Sequence, residues 1–521
     1  MNSATTPPAN AVPRAKHSAT SRQIRGSSLM LIGRTLSMAV NAVVQIFIVR
    51  YLAKPEYGAF ALALSIANMG EVLTSLGLDK AITRFVPIYQ EQRDYNKMFG
   101  TIILTLGSML ALGISVVLLV FGFQGLATQI FAKGQDQQLA TSLLLILIVL
   151  APVQALDDLM VGMFAIFAGA RSIFFRKHIL APGLKLAVVL LLILGHSDVY
   201  FLAAGYLAAG VLGVGICTIL LIRIMRQKGV FQHFNLRTIN IPAWELFAFA
   251  IPLLSTDLLY QLMNSMDVVL LGHFRGAIDI AAFRSVQTAA GLNQLAMMSF
   301  QTLFTPLAAR MFARKDYAGI NDLYWQTAIW MAVISFPIFA VTFSLAQPLT
   351  VLLFTQKYAD SAPILALLSL GYYFSTALGF NGLTIRVFGK VRYIVVINIL
   401  AALVNLGLNL LLIPIYGALG AAIGTCVTMI AHNIFKQIGL RFVTGISMFE
   451  WRFLKVYILI LLSAFGLLLI QTLTSSHIYI GLPLVGLVSL FVLLSTRKSL
   501  NVGQMFPELL RFSLARRLFG E

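Results

Sequence analysis

Charge is scarce in this sequence. Only 11% of its 521 residues are Asp, Glu, Lys or Arg, where a water-soluble domain carries roughly 25%. That shortfall excludes a soluble globular fold. Acid is scarcer still: 19 Asp and Glu stand against 38 Lys and Arg, a formal net charge of +19. Cysteine is nearly absent. Cys217 and Cys426 both fall inside apolar stretches, so they read as small core residues, with no disulfide framework and no thiolate metal site. No glycine-rich phosphate loop occurs, and no His/Cys spacing suits a metal. No cofactor is expected. Long loops are missing too, which leaves no room for an extracytoplasmic catalytic domain, so the chain is not expected to be an enzyme.

Apolar residues are plentiful: 59% of the chain, with a mean hydropathy of +0.87. A helix needs ~20 of them in a row to cross a bilayer. Fourteen such spans are predicted: 26–50, 56–79, 98–122, 139–168, 178–197, 199–223, 244–272, 277–305, 320–345, 359–386, 392–413, 416–440, 453–472 and 478–496. Pro152 gives the fourth a reason to kink. The chain reads as an all-α polytopic membrane protein.

The basic residues fall almost entirely in alternate loops. With the N-terminus inside, 30 of the 38 Lys and Arg are cytoplasmic. Five lie outside (Arg50, Lys54, Lys133, Arg275 and Lys357), and three lie within spans (Arg34, Lys185 and Arg284). This is the positive-inside bias. It predicts an even number of spans, both termini in the cytoplasm, and a multi-pass protein of the inner membrane. The net charge then faces anionic lipid head groups and calls for no nucleic acid. Residues 1–25, rich in Ala, Pro, Ser and Thr, read as a disordered cytoplasmic tail. The basic tail 498–521, with Phe506, Leu509, Leu510 and Phe512, either lies on the membrane surface or is solvated.

The chain also repeats itself. Arg93-Asp94-Tyr95 after the second span matches Lys315-Asp316-Tyr317 after the eighth, and Gly169 matches Gly389. Each repeat holds six spans, an even number, so the two bundles are parallel, related by an axis along the membrane normal. The organisation predicted is a bundle over 26–226, a cytoplasmic linker over 227–243, a bundle over 244–443, and two further helices over 444–497. Repeats of this kind place a cavity between the halves.

Polar stripes mark that cavity. At ~100° per residue, Arg34, Ser37, Asn41 and Gln45 of the first span share an arc of about 80°. Asp257, Gln261, Asn264 and Asp267 of the seventh share about 120°, and Arg284, Gln287, Gln294 and Gln301 of the eighth about 100°. Asn398, Asn405 and Asn409 line one side of the eleventh; Glu71, Asp157, Asp158 and Lys185 add charge elsewhere. Ionisable groups in hydrocarbon are costly and usually face protein or water. Arg34 and Arg284 are candidates for an anionic head group, because guanidinium matches oxyanion geometry. Lys185 is a further cation. Asn41, Gln45, Asn264 and Gln287 suit sugar hydroxyls. Asp257, Asp267, Glu71 and Asp157 are candidates to carry a proton or Na⁺, or to pair with the arginines.

RYLAKPEYGAFALALSI at 50–66, LTSLGLDKAITRFVPIY at 73–89 and MDVVLLGHFRGAIDIAAF at 266–283 resemble the bacterial and archaeal polysaccharide flippases. These belong to the multidrug/oligosaccharidyl-lipid/polysaccharide export superfamily. Ala281 and Ala282 stand where members often have Gly and Tyr. The resemblance implies a V-shaped pair of bundles around a cationic cavity. It implies transfer of a polyprenyl-pyrophosphate-linked oligosaccharide to the outer leaflet by alternating access, driven by an ion gradient or the membrane potential. Arg34 and Arg284 would meet the pyrophosphate. The implied partners are that lipid, membrane lipids and a polysaccharide polymerase or export complex, with the protein itself a monomer. Three alternatives stand beside this: a cation-coupled drug or metabolite exporter, a flippase for the peptidoglycan lipid precursor, and a membrane-embedded glycan polymerase or ligase.

Overall fold

The structure, a computed structural model, describes residues 13–125, 137–474 and 477–500. Every regular element among them is helical. Fourteen helices cross in succession: α1 (Pro13–Tyr51), α2 (Lys54–Glu91), α3 (Tyr95–Gly122), α4 (Gln137–Phe167), α5 (Ala170–Leu194), α6 (Val199–Gln227), α7 (Ala243–Phe274), α8 (277–313), α9 (Tyr317–Ser344), α10 (Gln356–Val387), α11 (391–416), α12 (417–444), α13 (Trp451–Thr474) and α14 (Ile478–Leu500). Twelve apolar helical runs are long enough to span a bilayer. One of them, Val391–Thr444, is α11 and α12 joined at Gly417. The broken helix α8 makes up the remaining span.

Two expectations need correction. Residues 13–25 are helical, the first turns of α1. Pro13 is suited to a first helical position, and the Ala, Arg, Lys and Gln that follow are good helix formers. Residues 1–12 lie outside the described residues, as does the tail beyond Leu500. The loop expected after the second span is in part helix: α2 runs on through Lys80 and Arg84 to Glu91 after a break at Leu76 and Gly77.

Sparse acidic residues start several helices. Asp94 accepts from the Lys97 N–H (3.0 Å), Asp198 from Phe201 N–H (3.0 Å) and Asp316 from Gly319 N–H (2.8 Å). These caps satisfy backbone donors that otherwise end unpaired. The repeat shows here: Arg93 and Lys315, one residue before matching caps, both take positive φ (57° and 60°). The fourth helix bends at Ile148 and Val149, just before Pro152, which has no N–H for the Ile148 carbonyl.

The largest apolar core crosses from one bundle to the other. Phe60, Ala63 and Ile66 of α2 share it with Ala277, Ile280 and Phe283 of α8. Gly58 lies directly on the Ala277 backbone carbonyl, where any Cβ would overlap it. Small residues let these helices approach closely, as van der Waals packing in a membrane requires. Helices α13 and α14 pack on α9 of the second bundle through Phe343, Ile460, Ala464 and Val492.

Candidate functional site

Between the bundles, the predicted second-bundle cation is held by both halves. Arg284 of α8 donates to Ser65 Oγ of α2 at 2.8 Å and to Gln287 Oε1 at 2.5 Å. Tyr57, Asp267 and Tyr372 are its electrostatic neighbours. Gln45 of α1 donates to the Tyr57 hydroxyl. Four candidates, Gln45, Arg284, Gln287 and Asp267, thus converge on one polar centre. An arginine there is tolerated because two of its nitrogens are hydrogen-bonded and carboxylate and phenol oxygens lie near.

Asp267 of α7 is fully enclosed, 2% exposed. Its Oδ1 accepts from Asn409 Nδ2 of α11 at 2.5 Å, and its Oδ2 accepts from Thr425 Oγ1 of α12 at 2.8 Å. Asn409 also donates to Asn405 Oδ1 (3.1 Å), while its own Oδ1 is buried with no partner. Three helices therefore bring a carboxylate, side-chain amides and a hydroxyl together at one point. The kink that brings α12 here has a cause. Gly417 takes φ 57°, ψ −132°, and Asp279 of α8 caps the new helix through Ala418 N–H at 2.9 Å.

The remaining candidates are dispersed. Arg34 is exposed on α1, one turn before Ser37, whose hydroxyl meets His178 Nδ1 of α5 at 3.0 Å. Asn41 is likewise exposed. Lys185 lies over the Tyr206 ring at 5.6 Å and shares a pocket of about 130 Å³ in the first bundle with Asp157 and Arg176. Asp157 is paired with Arg176 at 2.5 Å, and Glu71 has Asp158 and Asp157 as electrostatic neighbours. Asp257 is paired with Lys80 of α2. Two of the four expected ion carriers, Asp157 and Asp257, are thus neutralised by salt bridges. Both partners lie just outside the predicted spans: Lys80 falls in the continuation of α2 and Arg176 in the early turns of α5.

Asp257 and Asn264 also line a cavity of the second bundle, about 640 Å³, with Tyr372, Arg386, His432 and Lys436 among its walls. Arg386 and Lys436 are absent from the sequence-derived site. Their signal was the spacing of His432 and Lys436, one helical turn apart on the Asn-rich side of α11 and α12.

The halves are tied at both ends of this centre. On the face opposite the basic loops, Lys54 of α2 pairs with Asp360 at 2.8 Å. Arg50 donates to the Leu352 and Leu353 carbonyls, and Lys357 donates to those of Arg50 (3.0 Å) and Leu52 (2.7 Å). Toward the basic face, Lys80 meets Asp257, and Tyr89 donates to Glu245 at 2.6 Å.

The sequence pattern of the family described as Polysaccharide biosynthesis protein matches residues 24–312. The chain belongs to the polysaccharide biosynthesis protein family. A second pattern, MatE, matches residues 252–411 of this family member. A relative from Methanocaldococcus jannaschii, an uncharacterized membrane protein, is 21% identical over 507 residues, covering 91% of this chain and 96% of its own. Among solved structures, lipid II flippase MurJ in an inward closed conformation is similar with a TM-score of 0.70 at 15% identity, covering 92% of this chain and all of its own. An inward-facing multidrug resistance MATE transporter has a TM-score of 0.65 at 17% identity, covering 79% of this chain and 95% of its own. The fold of this chain is thus that of the multidrug/oligosaccharidyl-lipid/polysaccharide flippases and transporters.

Proposed function

We propose that the protein is a flippase that moves a polyprenyl-pyrophosphate-linked oligosaccharide from the inner to the outer leaflet for surface polysaccharide synthesis. The observation that carries this reading is Arg284, a cation bridged between the two halves through Ser65 and Gln287. When the halves part, its guanidinium loses Ser65 and gains room for an oxyanion. Gln287, Gln45 and Asn264 then offer donors and acceptors to sugar hydroxyls. The lipid tail stays in the bilayer. The protein acts as a carrier, not an enzyme. The basic face is the cytoplasmic one, both termini lie there, and the membrane is the inner one. The carrier works as a monomer, and a polymerase or export complex takes its product.

Asp267 is the coupling group in this reading. Its carboxylate, the Asn405 and Asn409 amides and the Thr425 hydroxyl suit a hard cation. Turning the Asn409 amide over brings its unpartnered oxygen to the site. Sodium or a proton is the co-substrate, entering as Asp267 exchanges its bonds.

The test is in cells. Arg284→Ala is expected to abolish surface glycan while the protein still inserts, and Arg284→Lys to restore part of it. Wild-type glycan in the Ala variant would remove Arg284 from the path. Arg34→Ala, on the exposed side of α1, tests the first-bundle cation in the same assay.

The peptidoglycan lipid precursor is a second reading, favoured by the likeness to the lipid II flippase structure over 92% of this chain. It shares the polyprenyl-pyrophosphate, so complementation of a strain depleted of its precursor flippase separates the two. A cationic-drug exporter is disfavoured, because Asp257 and Asp157 are already neutralised by Lys80 and Arg176.

A further inference from the structure

The second-bundle cavity lined by Asp257 and Tyr372 carries two cations with no acid assigned to them. Helix α10 breaks at Gly379 and restarts at Asn381, so its last turns, 381–387, form the wall of that cavity. Discontinuous helices place backbone and side chains at transporter sites. Gly382 and Arg386 lie one turn apart on this short helix. The stem of Lys436, from α12, rests against Gly382, with its Nζ 3.9 Å from where a Cβ would stand. Arg386 is the electrostatic neighbour of Lys436. Neither pairs with a carboxylate among the described residues. The acid that shares the cavity, Asp257, is already paired with Lys80.

The wall behind the cations is polar and internally fixed. Asn433 Nδ2 donates to Ser375 Oγ at 2.7 Å, and Asn381 Nδ2 to Asn433 Oδ1 at 3.2 Å. His432 Nε2 meets Asn398 Oδ1 at 3.0 Å. Like charges held together without counter-charge are costly at this depth, and an oxyanion relieves the cost.

We infer that Arg386 and Lys436 form an anion subsite that takes a pyrophosphate ester, with the attached sugar lying along the Asn398–His432 wall. The inference deepens the carrier reading and rests on it. It places the substrate's charge in the second bundle on the basic side of Arg284, so that Arg284 receives the head group later on its way across. A lipid-linked sugar and a soluble nucleotide sugar share this chemistry.

The test is binding to the purified full-length protein in detergent, with geranylgeranyl pyrophosphate, UDP-glucose and geranylgeraniol as probes. Geranylgeranyl pyrophosphate is expected to bind and geranylgeraniol to bind far more weakly. Arg386→Gln with Lys436→Gln should weaken pyrophosphate binding about tenfold or more. The conservative pair Arg386→Lys with Lys436→Arg, which keeps both charges, should retain it and so controls for folding. Equal binding of UDP-glucose supports the subsite but assigns it a soluble ligand, which would count against the carrier reading alone. Unchanged affinity in the Gln pair, or no pyrophosphate binding by the wild type, would overturn the subsite.

Discussion

Asp267 shows how one buried acid is made tolerable. It is 2% exposed and held by Asn409 and Thr425 from two other helices. Such bonds to an ionised acceptor are worth about 1.5–3 kcal/mol each, enough together to offset much of the burial of charge. Asp267→Asn keeps the shape and removes the charge. Transport in Asp267→Asn vesicles is expected to lose its dependence on an imposed ion gradient, while the protein stays folded. Gradient-driven transport equal to wild type would dismiss Asp267 as the coupling group. The cations outside the positive-inside pattern have structural uses of the same kind. Arg50, Lys54 and Lys357 tie α1 and α2 to the segment 352–360 at the entrance to α10, and Arg275 donates to the Ile413 (3.2 Å) and Ile415 (2.5 Å) carbonyls where α11 ends. Lys133, the fifth, lies outside the described residues.

At the scale of elements, breaks matter more than spans. Helices α2, α8, α10 and the α11–α12 pair are all interrupted near the cavity or the interface. Gly417 is the sharpest case: φ 57°, ψ −132° is a conformation almost closed to other residues. Gly417→Ala is expected to cost about 1–3 kcal/mol, seen as a lower unfolding temperature in detergent. An unchanged melting temperature would show that the chain can straighten there without loss. These breaks explain what could and could not be read from the sequence. Hydropathy and alternating basic loops gave the fourteen spans, and the Arg93-Asp94 and Lys315-Asp316 pair gave the repeat, because both are one-dimensional signals. The stripes on α7 and α8 pointed to Asp267, Arg284 and Gln287, which the structure brings together, because helical periodicity fixes the face of a regular helix. Lys80, Arg176, Arg386 and Lys436 were missed. Lys80 and Arg176 lie just beyond the apolar spans, and Arg386 and Lys436 in their last turns, where a charge count assigns residues to loops. Periodicity groups Arg34 with Arg284, but it fixes a face of one helix and not which helix that face meets. The structure turns that part of α1 toward His178 of α5.

For the whole molecule, the two bundles are joined by an apolar core and by polar ties at two levels. The far-face pair Lys54–Asp360 has one well-exposed partner, 60%, so it contributes no more than about 1 kcal/mol alone. Ties of that size suit a carrier, since they must break in every cycle. Cysteines at 54 and 360, cross-linked, are therefore expected to stop transport, and reduction to restore it. Transport by the cross-linked protein would mean that the far face need not open there. In the proposed cycle a pyrophosphate-linked glycan crosses between these halves past Arg284. The most direct measurement is the rate at which a fluorescent polyprenyl-pyrophosphate oligosaccharide changes leaflet in proteoliposomes. Rapid, gradient-dependent movement with the wild type and none above empty vesicles with Arg284→Ala is the expected result. Equal rates for both proteins, or no movement with either, would contradict the account.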